Sequence, residues 1–124
     1  MLNGNLYGLP FTYEESDIVV IPVPWEVTVS YQAGTAKAPQ AILDASPQLD
    51  LYDFDAPDFW KKGIFMLPIS EFWLQKNENL RQKAKNYIDF LENGGNINEN
   101  EAMQKVLQKI NVASFELKEF VKQK

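Results

Sequence analysis

Two periodicities alternate along the chain. After Ser16 the run Asp17-Ile-Val-Val-Ile-Pro-Val-Pro24 is short, continuous and β-branched, with acidic residues before it and prolines at its far end. Such a run predicts a buried strand of a parallel sheet, and Pro22 and Pro24, which lack an amide hydrogen, predict that it stops there or lies near an edge. Trp25 to Ala38 carries neither period and reads as a loop. Pro39 suits the first helical position, Ala41, Ile42 and Ala45 fall on one stripe, and Ser46-Pro47 ends that helix. A second strand is predicted over Gly63-Ile-Phe-Met-Leu-Pro68, behind the aromatic and acidic stretch from Leu51 to Trp60. Leu74, Asn77, Leu80, Ala84, Tyr87, Ile88 and Leu91 then recur three or four residues apart, which predicts an amphipathic helix stopped by Gly94-Gly95. A further helix is predicted from Asn98-Glu99-Asn100-Glu101, read as an Asx cap with Glu three residues on, followed by Met103, Val106, Leu107 and Ile110. Ser114 either caps a last segment containing Leu117, Phe120 and Val121 or lies inside one continuous helix.

Strand, loop, helix, strand, helix, helix is the opening of a doubly wound α/β arrangement. Two parallel strands do not close a core, because strands buried on both faces need neighbours. The chain is therefore expected to form residues 1–124 of one α/β domain that is incomplete at its carboxyl end.

Composition narrows the chemistry more than the fold. The 124 residues are 45% apolar and 23% charged, the balance of an ordinary globular protein with a single core. Cysteine and histidine are both absent. Their absence removes thiol nucleophiles, disulfides, Cys/His zinc sites and Ser-His-Asp triads, so any catalysis by these residues rests on carboxylates, Lys, Tyr or Ser. The start MLNGNLYGLPF shows neither a basic nor an apolar leader region, and no apolar run approaches the ~20 residues of a membrane span. A cytoplasmic location away from membranes is expected. A net charge of -5 argues against nucleic acid as a partner. That average hides an asymmetry: residues 1–60 hold nine acidic residues and only Lys37 as a base, whereas 61–124 hold eleven basic and eight acidic ones. The basic residues of the second half lie among Glu and Asn at helical spacing and read as a solvated helix face.

Asp50, Asp53, Asp55 and Asp58 form the densest carboxylate cluster. A hard cation would use such oxygens, but the turn glycine and terminal Glu of a calcium loop are missing, and a solvated loop with its aromatics tucked inward is the expectation. Glu14, Glu15, Asp17 and Glu26 could supply a glycosidase-type pair, as could those of any acidic chain. Trp60 and Trp73 flank the second strand and read as core or interface.

The segment from Val20 to Leu43 resembles the amino-terminal signature of the ureohydrolases, the family of arginase, agmatinase and formimidoylglutamase. The matching positions are Val23, Pro24 and Trp25 at the strand end, Ser30, Tyr31, Gly34 and Thr35 in the loop, and Pro39, Ala41 and Ile42 opening the helix. Leu49-Asp50-Leu51-Tyr52-Asp53 and Asn111-Val112-Ala113-Ser114 are also similar. Gln32 stands where the family often has a basic residue, and Ala38 where it has Gly before the helix-opening Pro. Ala38 requires a negative φ or modest strain.

The resemblance implies a three-layer αβα domain with a mostly parallel sheet. It also implies a cytoplasmic homo-oligomer, and a binuclear manganese site whose bridging water attacks a guanidino or formimino carbon of a small substrate. The family's ligand motifs, Gly-Gly-Asp-His, Asp-Ala-His-x-Asp and Ser-x-Asp-x-Asp, do not occur in the chain. It is thus expected to be the amino-terminal part of a truncated ureohydrolase, to bind no manganese itself and to hydrolyse nothing alone. The alternative is a non-catalytic module that keeps part of the fold and works by oligomerising or docking. Trp25, Tyr31, Gln32 and Gly34 lie on the loop leaving the carboxyl end of the first strand, where ligand sites of open α/β sheets gather, and are the substrate-cleft candidates. Gly34 reads first as a backbone requirement of the turn. The sequence does not choose among arginine, agmatine and formimidoylglutamate.

Overall fold

The computed structural model describes residues 2–124. It divides into two compact units: residues up to Val23 with Lys37–Ser70, and Pro24–Ala36 with Glu71–Lys124.

The first unit is built on two parallel strands, β1 (Ile18–Val20) and β2 (Ile64–Met66), paired Ile18 to Ile64, Val19 to Phe65 and Val20 to Met66. Hydrogen bonds from Asp17 N to Lys62 O (2.8 Å) and from Leu67 N to Val20 O (3.0 Å) extend the pairing at each end. β1 stops two residues before Pro22, as the missing amide hydrogens require. Gly63 leads into β2 with φ 76°, and a β-carbon there would lie 2.8 Å from Ser16 Cα and 2.9 Å from Glu15 O, so only glycine fits. β1 is not the buried strand expected: Val19 and Val20 are each 37% exposed. A sheet of two strands gives each a single neighbour and leaves the outer edges and part of both faces to solvent.

Helix α1 (Ala38–Ala45) carries Pro39 in its first turn and passes into a 3-10 turn at Ser46–Gln48. Its Ala41, Ile42 and Ala45 stripe, expected to be buried, is exposed, Ile42 at 57%. Burial of a stripe needs an apolar surface opposite, and the described residues of this unit do not supply one. Ser46 turns inward instead: at 2% exposure its hydroxyl donates to Leu43 O (2.9 Å) and accepts from Tyr7 N (2.8 Å), which anchors the amino-terminal turn that buries Leu6 and Leu9.

The second unit is a helical hairpin, α2 (Glu71–Glu92) and α3 (Glu101–Lys122), with the Pro24–Ala36 loop packed on it. Val27, Leu80, Ala84, Ile110 and Ala113 form its core, with Trp25 and Val106 against them. The helices run antiparallel, since Trp73 near the start of α2 meets Phe120 near the end of α3 (5.7 Å between ring centroids). α2 buries Trp73, Asn77, Leu80 and Ala84, so the inward stripe begins one residue earlier than the Leu74 of the expected pattern, and Trp73 is core. Gly94 (φ 79°) ends the helix, with Gly94 N donating to Leu91 O and Gly95 N to Phe90 O. α3 is capped by Asn100, whose side chain accepts from Met103 N (3.0 Å), two residues after the expected Asn98. The displaced cap has a simple cause: Asn96 caps the 3-10 turn Ile97–Glu99 first, and Asn100 is the next residue in extended conformation. Ser114 lies inside one continuous α3.

Candidate functional site

Polar contacts within the second unit hold the loop of residues 24–36. Glu26 N donates to Asn77 Oδ1 (2.6 Å), and Arg81 Nη1 donates to Val27 O (3.1 Å). The Glu26 carboxylate turns back along the loop, where one oxygen accepts from Gly34 N (2.7 Å) and Ala36 N (2.9 Å). Between these anchors Val27, 0% exposed, is sunk into the hairpin core. Carboxylate-to-amide bonds are stronger than neutral ones, so half-buried Glu26 ties the start of the loop to its end while α2 holds the start through Glu26 and Val27.

The four cleft candidates part company in this frame. Trp25 is half-buried and meets Trp73 edge to face (5.9 Å, 78°), which places it with the core. Tyr31 is 98% exposed and lines an open cleft of about 350 Å³ together with Arg81, Lys85, Asp89 and Glu92. Gln32 is exposed and does not line that cleft. Gly34 has φ 143°, its amide feeds the Glu26 carboxylate, and nothing stands within 4 Å of where a β-carbon would be. Its requirement is one of backbone conformation. Ala38, where the ureohydrolase pattern has Gly, opens α1 without a positive φ.

Asn77 and Arg81 were missed by sequence reasoning because a helical stripe says which residues face inward and not which loop atoms they meet. One signal was present: Asn77 is polar in an otherwise apolar stripe, and a buried amide needs a partner.

The aspartate cluster closes on itself. Asp50 accepts from Tyr52 N (2.9 Å), and Asp53 accepts from Asp55 N (2.8 Å) and Ala56 N (3.2 Å), the geometry of successive Asx turns. The aromatics expected to be tucked inward are not: Tyr52 is 60% and Phe54 90% exposed, their rings edge to face at 5.4 Å. Consecutive Asx turns fix the backbone locally, so this short loop keeps its shape without a hydrophobic anchor. Glu15 accepts from Thr12 N (2.9 Å), and this bond, with one from the Thr12 hydroxyl, holds its carboxyl below the usual range.

Among the described residues no three His, Cys, Asp or Glu side chains converge as a metal ion would require. The donor set present therefore does not fit a binuclear manganese centre. No helix among them is long and apolar enough to cross a membrane.

A protein-family model, described as the arginase family, matches residues 16–113. The chain belongs to the arginase family. It is 45% identical over 42 residues to an N(1)-aminopropylagmatine ureohydrolase of Synechocystis, a stretch that is 34% of this chain and 14% of that protein. It is also 45% identical over 38 residues to the protein of the same name from Thermus thermophilus, 31% of this chain and 13% of the relative. The aligned part thus spans about a seventh of the curated relatives it matches. No solved structure matches the chain. A parallel strand pair and three helices in one chain are consistent with an incomplete arginase-like α/β domain.

Proposed function

We propose that these residues form the amino-terminal layers of a manganese-dependent ureohydrolase, a hydrolase of linear C–N bonds acting on a guanidino compound of the agmatine and arginine class. On this reading the metal pair is held by residues other than those described, and the 124-residue chain by itself releases no urea. The observation that carries the reading is the arginase-family match across most of the chain. The relatives' name supports a substrate extended by an aminopropyl group. The cleft beside Tyr31 offers such a tail the carboxylates of Asp89 and Glu92 for its protonated amine, set against the cations of Arg81 and Lys85, and the ring for its methylenes. Within this proposal Tyr31 is a substrate-cleft residue, Gln32 a neighbour at its rim, and Trp25 and Gly34 shape the loop that carries them.

The test is a chimera in which residues 16–113 replace the corresponding segment of the Thermus thermophilus relative. It is expected to bind manganese and release urea, and Tyr31→Ala in it is expected to raise KM for the aminopropyl substrate more than for agmatine. A folded, manganese-loaded chimera that releases no urea would overturn the reading, as would manganese-dependent urea release by the 124-residue chain alone.

A further inference from the structure

α2 and α3 border a second cleft, of about 510 Å³, whose apolar lining residues are Leu80, Val112 and Ala113. Around it stand Lys76, Lys83, Lys105 and Lys109, with Glu116 as the acidic member. Lys76 is paired with Glu116 and Lys105 with Glu101 (3.2 Å), while Lys83 and Lys109 have no ion pair among the described residues. An apolar floor with unpaired cations at its margin suits an acidic segment that also offers apolar side chains.

The chain itself contains such a segment. In 49–60, Phe54 is 90%, Tyr52 60%, Leu49 60% and Phe59 45% exposed, a concentration of apolar surface interleaved with four aspartates. The Asx turns at Asp50 and Asp53 hold it in shape, so docking would cost little ordering entropy. Asp55 offers its carboxylate freely, and Asp58 is engaged only in an exposed bond to Lys61 (2.8 Å), which is worth little and easily exchanged. The net charges of the two halves, strongly acidic in 1–60 and basic in 61–124, favour the same encounter.

We propose that the acidic aromatic loop 49–60 of one copy docks in the lysine-margined cleft between α2 and α3 of a second copy. Tyr52 and Phe54 then lie against Leu80 and Val112, and Asp55 and Asp58 face Lys83 and Lys109. The contact joins two different patches and is therefore heterologous. It does not depend on the hydrolytic reading.

The absence of cysteine allows a direct test by cross-linking. Phe54→Cys and Val112→Cys chains, each in the full 124 residues, are mixed under mild oxidation. A disulfide-linked heterodimer is expected in clear excess over that from a control mixture of Tyr31→Cys and Val112→Cys. Yield equal to the control would overturn the proposal. So would a chain carrying both cysteines that cross-links only within the monomer, which would make the occupant its own loop. Sedimentation velocity gives an independent readout: self-association should weaken about tenfold between 50 and 500 mM salt, as contacts steered by charge do. Lys83→Glu with Lys109→Glu should abolish it, and mixing that variant with Asp55→Lys and Asp58→Lys should restore it. These are exposed surface changes, and circular dichroism checks that each variant is folded. Failure of the paired reversals to restore association between folded chains would refute the docking geometry.

Discussion

Asn77 offers the sharpest test of how the loop of residues 24–36 is held. Its side chain is 3% exposed, and its Oδ1 accepts the Glu26 amide at 2.6 Å. Asn77→Ala removes the side-chain acceptor of the Glu26 N–H at a half-buried position. An unmatched buried donor costs about 1–3 kcal/mol. Glu26 is only partly covered, so water recovers some of this, and a loss of about 1.5 kcal/mol is expected. For a chain of this size, at about 4 °C per kcal/mol, that corresponds to a fall in Tm of about 6 °C. The assay is denaturant unfolding followed by tryptophan fluorescence in a Trp60→Phe background, which leaves Trp25 and Trp73 as the reporters. Asn79→Ala, an exposed position on the same helix, is the control and should stay within about 0.5 kcal/mol of the parent. The damage should also be local: Tyr31 is 98% exposed, so chymotrypsin should cut the loop there faster in Asn77→Ala than in the control. If Asn77→Ala unfolds at the same denaturant concentration as Asn79→Ala and is cut no faster, α2 does not anchor the loop through this bond.

Two other changes test the strand unit. Gly63→Ala forces a β-carbon to within 2.8 Å of the Ser16 backbone at φ 76°, and should cost about 2–3 kcal/mol, read as a lowered Tm; an unchanged Tm would show that the approach of β2 to Ser16 is looser than described. Glu15 has its carboxyl lowered in the folded chain by hydrogen bonds from Thr12, so its contribution is complete above the ordinary carboxylate pKa and fades as pH falls through the lower folded value. Glu15→Gln should therefore reduce the steepness of Tm against pH below about pH 4.5, the ordinary value, and leave it nearly unchanged at pH 7.

Helices were more legible than strands for a physical reason. The α2 stripe and its Gly94-Gly95 stop depend on local spacing and backbone conformation, so they can be read without knowing any partner. Burial of β1 and of the α1 stripe depends on what lies opposite, and periodicity states only a capacity to be covered. Val19, Val20 and Ile42 are apolar as expected and exposed nonetheless. The Asn98 cap failed on competition: Asn93, Asn96, Asn98 and Asn100 could each cap, and the choice falls to whichever backbone is extended at the right step. At the site, the start of the loop was legible from the prolines that end the apolar run before it, whereas the α2 side chains that border Tyr31 were not. The role of Glu26 was not legible, because a carboxylate that closes a loop has the same sequence signature as one poised for chemistry.

That distinction bears on where function can reside in the loop. Glu26 spends one carboxylate oxygen on two amides, Val27 is buried, Trp25 leans on Trp73, and Gly34 serves the turn. Each of these residues is committed to the shape of the segment, and substitution there would perturb folding before it perturbed recognition. Tyr31 has no such commitment: it is almost wholly exposed at the edge of a charged cleft, on a loop whose ends are fixed. Placing a large aromatic in water gives up about 1.5–3 kcal/mol of burial that a core position would have gained. Because folding fixes the backbone on either side, a ligand that met this ring would have to order the Tyr31 side chain but not the loop. The loop thus separates residues that hold it from an exposed ring that does not, and Tyr31→Ala should leave Tm nearly unchanged where Asn77→Ala lowers it.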